Sequence, residues 1–197
     1  MNKLKKDFYL RDPVTVAREL LGKNLCRQTD KGLMIGKIVE TEAYLSEDDP
    51  ACHAYTRKTN RNYNMFEEGG ISYVYIIYGF YNCFNVVTGL KDKGEAVLIR
   101  ALEPMEGIDI MSSYRRVDKT KDLTNGPGKL CLAFNISKKD NGLDLVNGDE
   151  LYVTENENIE DKNIVITTRI GLTQGTDLPL RYYVRNNKYV SKIVKGL

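Results

Sequence analysis

The stretch KIVETEAYLSEDDPACHAYTRKTNRNYNMFEEGGISYVYIIYGFYNCFN, residues 37–85, sets the character of the chain. Its first part belongs to a strand over Ile35 to Leu45 whose alternation places Ile38, Glu40, Glu42 and Tyr44 on one face. Val39, Thr41, Ala43 and Leu45 take the other. Two carboxylates on a regular strand lie about 6.6 Å apart. Such a pair can separate in pKa, which suits general acid–base work, or can simply face water. SEDDPACHAYTRKTNRNYN then reads as a long polar loop, of a length that binds something or stays disordered. It carries the only histidine, His53, followed by Arg57, Lys58 and Arg61. A histidine alone in a loop is more often not catalytic; beside these cations it suits a binding loop. Seven of the thirteen tyrosines fall within residues 37–85. Each buried tyrosine must satisfy a hydroxyl, so crowding here points to a surface that grips something flat.

ISYVYIIY (71–78) and YNCFNVVT (81–88) read as the two strands of a hairpin turning at Gly79-Phe80. Its register is open. A two-residue loop pairs Tyr78 with Tyr81 and sets Tyr75 opposite Phe84. A three-residue loop, Gly79 to Tyr81, pairs Tyr78 with Asn82 and sets Tyr75 opposite Asn85, which brings both side chains to one face. Tyr78 and Phe80 stand at the tip, where exposed aromatics are costly unless they insert somewhere.

Outward from this centre, DPVTVARELL (12–21) reads as a helix capped by Asp12, with Pro13 at its first position and Gly22 ending it. LCRQ (25–28) is a strand. AVLIRAL (96–102) is another, stopped by Pro104, and residues 107–116 suit a helix. NGPGKLCLAFNI (125–136) is a glycine-rich turn into a short helix without the spacing of a nucleotide-binding phosphate loop. DELYVTE and NIVITTRIG follow as strands, then LRYYVRNN and KYVSKIV near the C-terminus. The count, about eight strands and three or four helices, describes a strand-rich α+β domain.

At 197 residues the chain suits one domain that buries about 70% of its unfolded surface. Apolar content of 42% and charged content of 28% suit a soluble globular protein. No apolar run approaches the ~20 residues of a membrane span, and MNKLKKDFYL lacks an apolar signal core, so an intracellular protein is expected. Cys26, Cys52, Cys83 and Cys131 form no CxxC pair, and one histidine does not complete a Cys/His cluster. No metal and no zinc-deaminase chemistry is expected. Residues 136–163 hold eight acids and three lysines, so against an overall +2 the rest carries +7. Arg181, Arg185, Lys188, Lys192 and Lys195 form a basic C-terminal run suited to phosphates or to solvent.

VETEAY (39–44), His53 eleven residues after Glu42, YVYIIYG (73–79), Asn85, LIRALEP (98–104), GPGKL (126–130) and LRYYVRNNKYVS (180–191) together resemble the alkyladenine (3-methyladenine) DNA glycosylase family. The matches span residues 37–191 in family order. The resemblance implies one domain, 1–197, around a curved, mainly antiparallel sheet like the formyltransferase C-terminal domain. It implies an enzyme that flips alkylated or deaminated purines out of duplex DNA and hydrolyses the N-glycosidic bond, as a monomer and without a cofactor. In a bacterium such an enzyme would work in the cytoplasm at the nucleoid. By residue-for-residue match, Glu42 is the base that activates water, and Arg100 holds that water with a backbone carbonyl near Ile170. Tyr44 and His53 form one wall of the base pocket and Tyr75 the other. Asn85 obstructs the exocyclic amine of guanine, a role that selects the three-residue hairpin loop. Tyr78 fills the vacated stack with Phe80 beside it. Arg57 and Arg61 contact phosphates, as do Arg181, Arg185 and Lys188 of the basic run. No lysine shares the Glu42 strand face, so simple hydrolysis without strand cleavage is expected.

The sequence departs from the family pattern at three places. Phe80 stands where a Met or similar residue is usual, GPGKL replaces a GPSKL-like loop, and the loop after His53 is one residue shorter. A non-catalytic damage sensor has no need of Glu42. An RNA-directed module lacks its aromatic pattern here, and a formyltransferase-like enzyme rests on fold analogy alone.

Overall fold

The computed structural model describes residues 2–117 and 119–194; Lys195, the last cation of the expected basic run, lies outside the described residues. Two helices open the chain, α1 (Lys6–Tyr9) and α2 (Pro13–Glu19). Only the second is legible in sequence, because four residues of α1 are too few to show a period. The Asp12 carboxylate accepts the Thr15 N–H at 2.9 Å and Pro13 occupies the first turn, as the capping signal requires. Val16, Ala17, Leu20 and Leu21 are all buried. Full burial of each larger side chain contributes about 1.5–3 kcal/mol.

The sheet is built from β1 (Asn24–Thr29), β2 (Gly32–Tyr44), β3 (Ser72–Ile77), β4 (Tyr81–Thr88), β5 (Glu95–Glu106), β6 (Leu151–Thr154), β7 (Ile164–Thr167) and β8 (Arg181–Val184). It is antiparallel throughout, in the order β3-β4-β5-β2-β1-β6, and β8 pairs with both β2 and β7. The α+β class therefore holds. Helices α3 (Ile108–Tyr114) and α4 (Pro127–Ala133) complete the main elements. Residues 189–194 are irregular. Long β2 is the spine. Its first half pairs with β1 and its second half lies between β5 and β8, with Glu40, Thr41 and Glu42 opposite Tyr183, Tyr182 and Arg181.

Two irregularities depart from simple alternation. The β2–β5 register shifts on both sides of Glu40. Val39 is left without a partner across the strand, and the faces exchange there. Ile38 packs into the main core with Ala17 and Ala43, whereas Val39 joins a second cluster with Ala101, Val165 and Tyr183. Ile38 therefore does not share the carboxylate face, because a bulge inserts one residue between them. Nor does Pro104 stop β5, which runs on to Glu106. Pro104 sits opposite Gly36 beside another register shift, a place where the missing N–H is tolerated.

The hairpin of β3 and β4 has a three-residue loop, but it is Tyr78–Phe80 rather than Gly79–Tyr81. Tyr73 pairs with Asn85, Tyr75 with Cys83 and Ile77 with Tyr81. The expected pairing of Tyr75 with Asn85 is thus displaced by one pair, although both still lie on the same face. The cause is at the tip. Tyr78 (φ 53°) and Gly79 (φ 80°) both take the left-handed region, and the Phe80 N–H reaches the Ile77 carbonyl. A turn with positive φ at two successive central residues matches the strand twist. It needs Tyr78 inside the loop.

Tyrosine in the left-handed region is strained by roughly 1–3 kcal/mol, and Tyr78 is 75% exposed, so little packing offsets it. Tyr78→Asn should therefore raise the urea-unfolding free energy by about 1 kcal/mol, since asparagine tolerates this conformation. A lower unfolding midpoint in the variant would show that the ring is held by packing after all.

Candidate active site

Glu40 and Glu42 leave β2 on the face opposite α2, whose Ala17 carbonyl is bonded by the intervening Thr41 hydroxyl at 2.8 Å. Both carboxylates are fully buried. Two buried anions require buried cations, and the neighbouring strands supply them. Arg100 from β5 places Nε 3.2 Å from Glu40 Oε1 and Nη1 3.2 Å from Glu42 Oε2. Arg181 from β8 places Nε 2.7 Å from Glu40 Oε1. Two anions and two guanidiniums make a neutral cluster. Burial opposes the Arg100 charge, but Glu42 and Glu40 outweigh it and hold its pKa above the ordinary value.

Glu42 accepts two hydrogen bonds, from the Ile170 N–H on Oε1 at 2.9 Å and from the Tyr44 hydroxyl on Oε2 at 3.0 Å, and Arg100 Nη1 forms an ion pair with Oε2 at 3.2 Å. A carboxylate offers about four acceptor sites, so Glu42 keeps room for a further donor. Burial, then the Glu42 charge, pushes the Tyr44 phenol well above its usual range and keeps it a donor.

Two cavities flank this centre. One of about 150 Å³ is lined by Tyr44, His53, Arg61, Tyr73, Tyr75 and Asn85, with Leu172 closing it. A cavity of that order holds one aromatic ring. The other, about 350 Å³, is lined by Tyr78, Tyr81, Cys83, Arg100, Lys129 and Ile170 among others. Glu42 lies behind both, with Tyr44 fronting the first and Arg100 and Ile170 the second.

The aromatic walls differ from expectation. The His53 and Tyr75 rings meet edge to face at 4.6 Å between centroids. A planar ring sandwiched between two others needs roughly 7 Å, twice a carbon–carbon contact. His53 therefore stands with Tyr75, not with Tyr44. Its Nδ1 lies 2.9 Å from the Tyr73 hydroxyl. Asn85 is buried, and its Nδ2 donates to the Tyr73 carbonyl at 3.0 Å, which fixes the amide in the cavity wall.

Several contributors carry no local signal in sequence. Asp49 and Arg169 form a buried double ion pair at 2.6 and 2.7 Å. Asp49 also accepts the Leu45 and Ala51 N–H groups, while Arg169 donates to the Ala43 carbonyl and lies 4.6 Å over the Tyr44 ring. This pair fixes the loop that carries His53 and the segment that delivers Ile170. Lys129 lines the larger cavity with Nζ tied to Asn125 Oδ1 at 2.7 Å. Gly128 lets Tyr81 lie against α4, because a Cβ there would come within 3.0 Å of the ring. Tyr81 in turn meets Phe80 at 4.3 Å between centroids, and Phe80 is 67% exposed beside Tyr78.

The basic residues divide. Arg57, Arg61, Arg185 and Lys188 are exposed, and among the described residues no carboxylate lies within ion-pair distance of them. Arg181 does not belong with them. It is 1% exposed, bonded to Glu40 and to the Lys192 carbonyl, and so does not reach the phosphates from the surface. All four cysteines are buried and free. Among the described residues no helix is long and apolar enough to cross a membrane, and no three metal-ligating side chains converge.

Burial, then Arg61, holds the His53 imidazole below its ordinary pKa. Folding thus favours the neutral ring. The associated stability is fully present above the unfolded value of about 6.5 and is lost as pH falls through the lowered folded value. His53 is the only histidine, so its proton NMR titration is unambiguous and should show a midpoint below 6.5. A midpoint at or above that value would contradict the environment described.

With this geometry in place, comparison with known proteins is direct. The family model described as Methylpurine-DNA glycosylase (MPG) matches residues 7–188. A protein of Carboxydothermus hydrogenoformans, provisionally named a 3-methyladenine DNA glycosylase, is 52% identical over 96% of this chain and 98% of its own. A relative from Clostridium botulinum with the same provisional name is 48% identical over the same shares. Matches of this extent leave no substantial part of the sheet or of the carboxylate cluster outside the likeness, and the chain belongs to the methylpurine-DNA glycosylase family.

Proposed function

We propose that this DNA glycosylase flips an alkylated or deaminated purine, of the 3-methyladenine, hypoxanthine or ethenoadenine type, out of duplex DNA. It then hydrolyses the N-glycosidic bond with a water activated by Glu42 and leaves an abasic site. The observation that carries the reading is the acceptor room left on Glu42, a buried carboxylate set behind both an aromatic cavity and a second cavity that Arg100 lines. The ionised carboxylate takes a proton from water as the bond to the base breaks, and its charge also stabilises the developing oxocarbenium ion. Arg100, with a backbone carbonyl near Ile170, holds the water. One copy of the chain carries every residue of this scheme.

The damaged base enters between Tyr44 and the Tyr75–His53 pair. Cationic or electron-poor purines gain about 0.5–2 kcal/mol from such faces. Asn85, fixed in the wall, obstructs the exocyclic amine of guanine. Flipping costs a few kcal/mol, least where damage has already weakened pairing. Tyr78 fills the vacated stack and Phe80 lies beside it. Both stand exposed at the hairpin tip, with Phe80 backed by Tyr81. Arg57, Arg61, Arg185 and Lys188 track the phosphates.

Glu42→Gln should keep binding to a lesion duplex while lowering single-turnover base release by about 10²–10⁴-fold, the range of a lost general base. The product should be abasic DNA whose strand breaks only on later alkali treatment. Near-native release by the variant would remove Glu42 from the role.

Replacing Arg57 and Arg61 by Ala should reduce the slope of log affinity against log salt by about one for each phosphate that is no longer neutralised. The buried Arg181 contributes no such term. An unchanged slope would place the phosphate track elsewhere on the surface.

A further inference from the structure

Glu40 is the second carboxylate of the cluster, and the reaction scheme above does not use it. Its surroundings are more crowded than those of Glu42. Oε1 accepts from Arg181 Nε (2.7 Å), Ser191 Oγ (2.9 Å) and Arg100 Nε (3.2 Å), and Oε2 accepts from the Ser191 N–H (2.7 Å). Four donors thus crowd Glu40, three of them on Oε1, against the two hydrogen bonds that Glu42 accepts. Tyr44 and Ile170, which donate to Glu42, line the two cavities, whereas Arg181 and Ser191, which donate to Glu40, line neither.

What Glu40 can do is direct Arg100. The guanidinium is a rigid planar fork, so holding Nε on Glu40 limits where its other nitrogens point. Nη1 then lies 3.2 Å from Glu42 Oε2 as an ion pair, without a pair of parallel hydrogen bonds to that carboxylate. Left to itself, an arginine facing one carboxylate tends to close into a bidentate pair with two parallel N–H···O bonds. Closed on Glu42, that pair would consume the acceptor site that a water needs. Glu40 opposes the closure by holding the other end of the fork.

We propose that Glu40 is a positioning residue. Through Arg100 it keeps one acceptor site of Glu42 open for the attacking water, and the segment around Ser191 belongs to this device. Ser191 supplies two of the four donors on Glu40, and the next residue, Lys192, is tied through its carbonyl to Arg181. A stretch remote in sequence from the carboxylates thereby sets the geometry at the water site. The inference rests on Glu42 as the base.

The test is single-turnover release of hypoxanthine from a lesion duplex at saturating enzyme, with duplex Kd and Tm measured alongside. Glu40→Gln should lower the rate about 10²-fold, the scale of a misplaced group, with Kd unchanged. In a Glu42→Gln background the same change should produce no further loss, since both act on one step. Glu40→Gln leaves Arg100 and Arg181 facing one anion and is the variant at risk of not folding. The double variant E40Q/R181M restores neutrality and should recover Tm without recovering the rate. Ser191→Ala, which removes one hydrogen bond and no charge, should lower the rate by about 3- to 10-fold.

Wild-type rates in Glu40→Gln, multiplicative losses with Glu42→Gln, or recovery of rate together with Tm in the double variant would each overturn the inference. The last would reduce Glu40 to a charge-balancing role. Activity retained in Glu42→Gln overturns the base assignment itself, and if Glu40→Gln is then inactive the two carboxylates exchange roles. An inactive Glu42→Gln beside a fully active Glu40→Gln overturns only the positioning role.

Discussion

Two carboxylates buried on one strand face are the constraint that the architecture must answer. Removing such a group from water carries an effective penalty of several kcal/mol, and an unmatched one would not stay ionised. Lysine is a poor answer, because one ammonium cannot present separate N–H groups of a rigid plane to two different carboxylates. Arg100 does this from β5, and Arg181 approaches from the opposite edge of β2. The cluster therefore requires β2 to be flanked on both sides just where Glu40 and Glu42 stand. That is the point at which β8 joins the sheet, pairing with residues 40–42 alone.

A second layer of order follows from how polar the site is. Strands position the carboxylates and Arg100, but the Ile170 N–H and the His53 ring come from irregular segments. Loops hold such positions only when their backbone groups are satisfied. Asp49 and Arg169 meet that need for both segments at once, and neither side chain is exposed. Their pairing places Arg169 over Tyr44, the ring whose hydroxyl donates to Glu42. The aromatic wall and the carboxylate are thus held by one ion pair that touches neither cavity.

Much of the fold was legible because it is local. The Asp12 cap, the strand on either side of Gly79 and the alternation from Glu40 to Tyr44 are all written within a few residues. What escaped reading depends on partners far along the chain. The bulge at Val39 arises from pairing with β5, more than fifty residues away, and no signal near Val39 announces it. The Asp49–Arg169 pair spans 120 residues. Arg181 looked like one cation of a basic tail. The usable signal was alternation within LRYYVR, which puts Arg181 and Tyr183 together on one face of a strand. An arginine on a buried strand face implies a buried acid.

The hairpin shows why local rules fail where a site is built. Sequence propensity would put Gly79 and a polar residue at the positive-φ positions of a tight loop. The chain puts Tyr78 there instead and leaves Tyr78 and Phe80 exposed. Neither choice helps folding: one strains the backbone and the other leaves apolar surface in water. Both become intelligible if the tip is completed by something outside the chain. Tyr81 supports this view from the protein side. Its ring lies on Gly128 and meets Phe80, so the exposed tip is braced against α4. A flexible tip would lose its aromatic side chains to solvent averaging. A braced one presents them at a fixed height beside the cavity lined by Tyr78, Tyr81 and Arg100. Strain and apolar exposure thus meet at the rim of the site, while the carboxylates behind it are fully buried and held by hydrogen bonds and ion pairs.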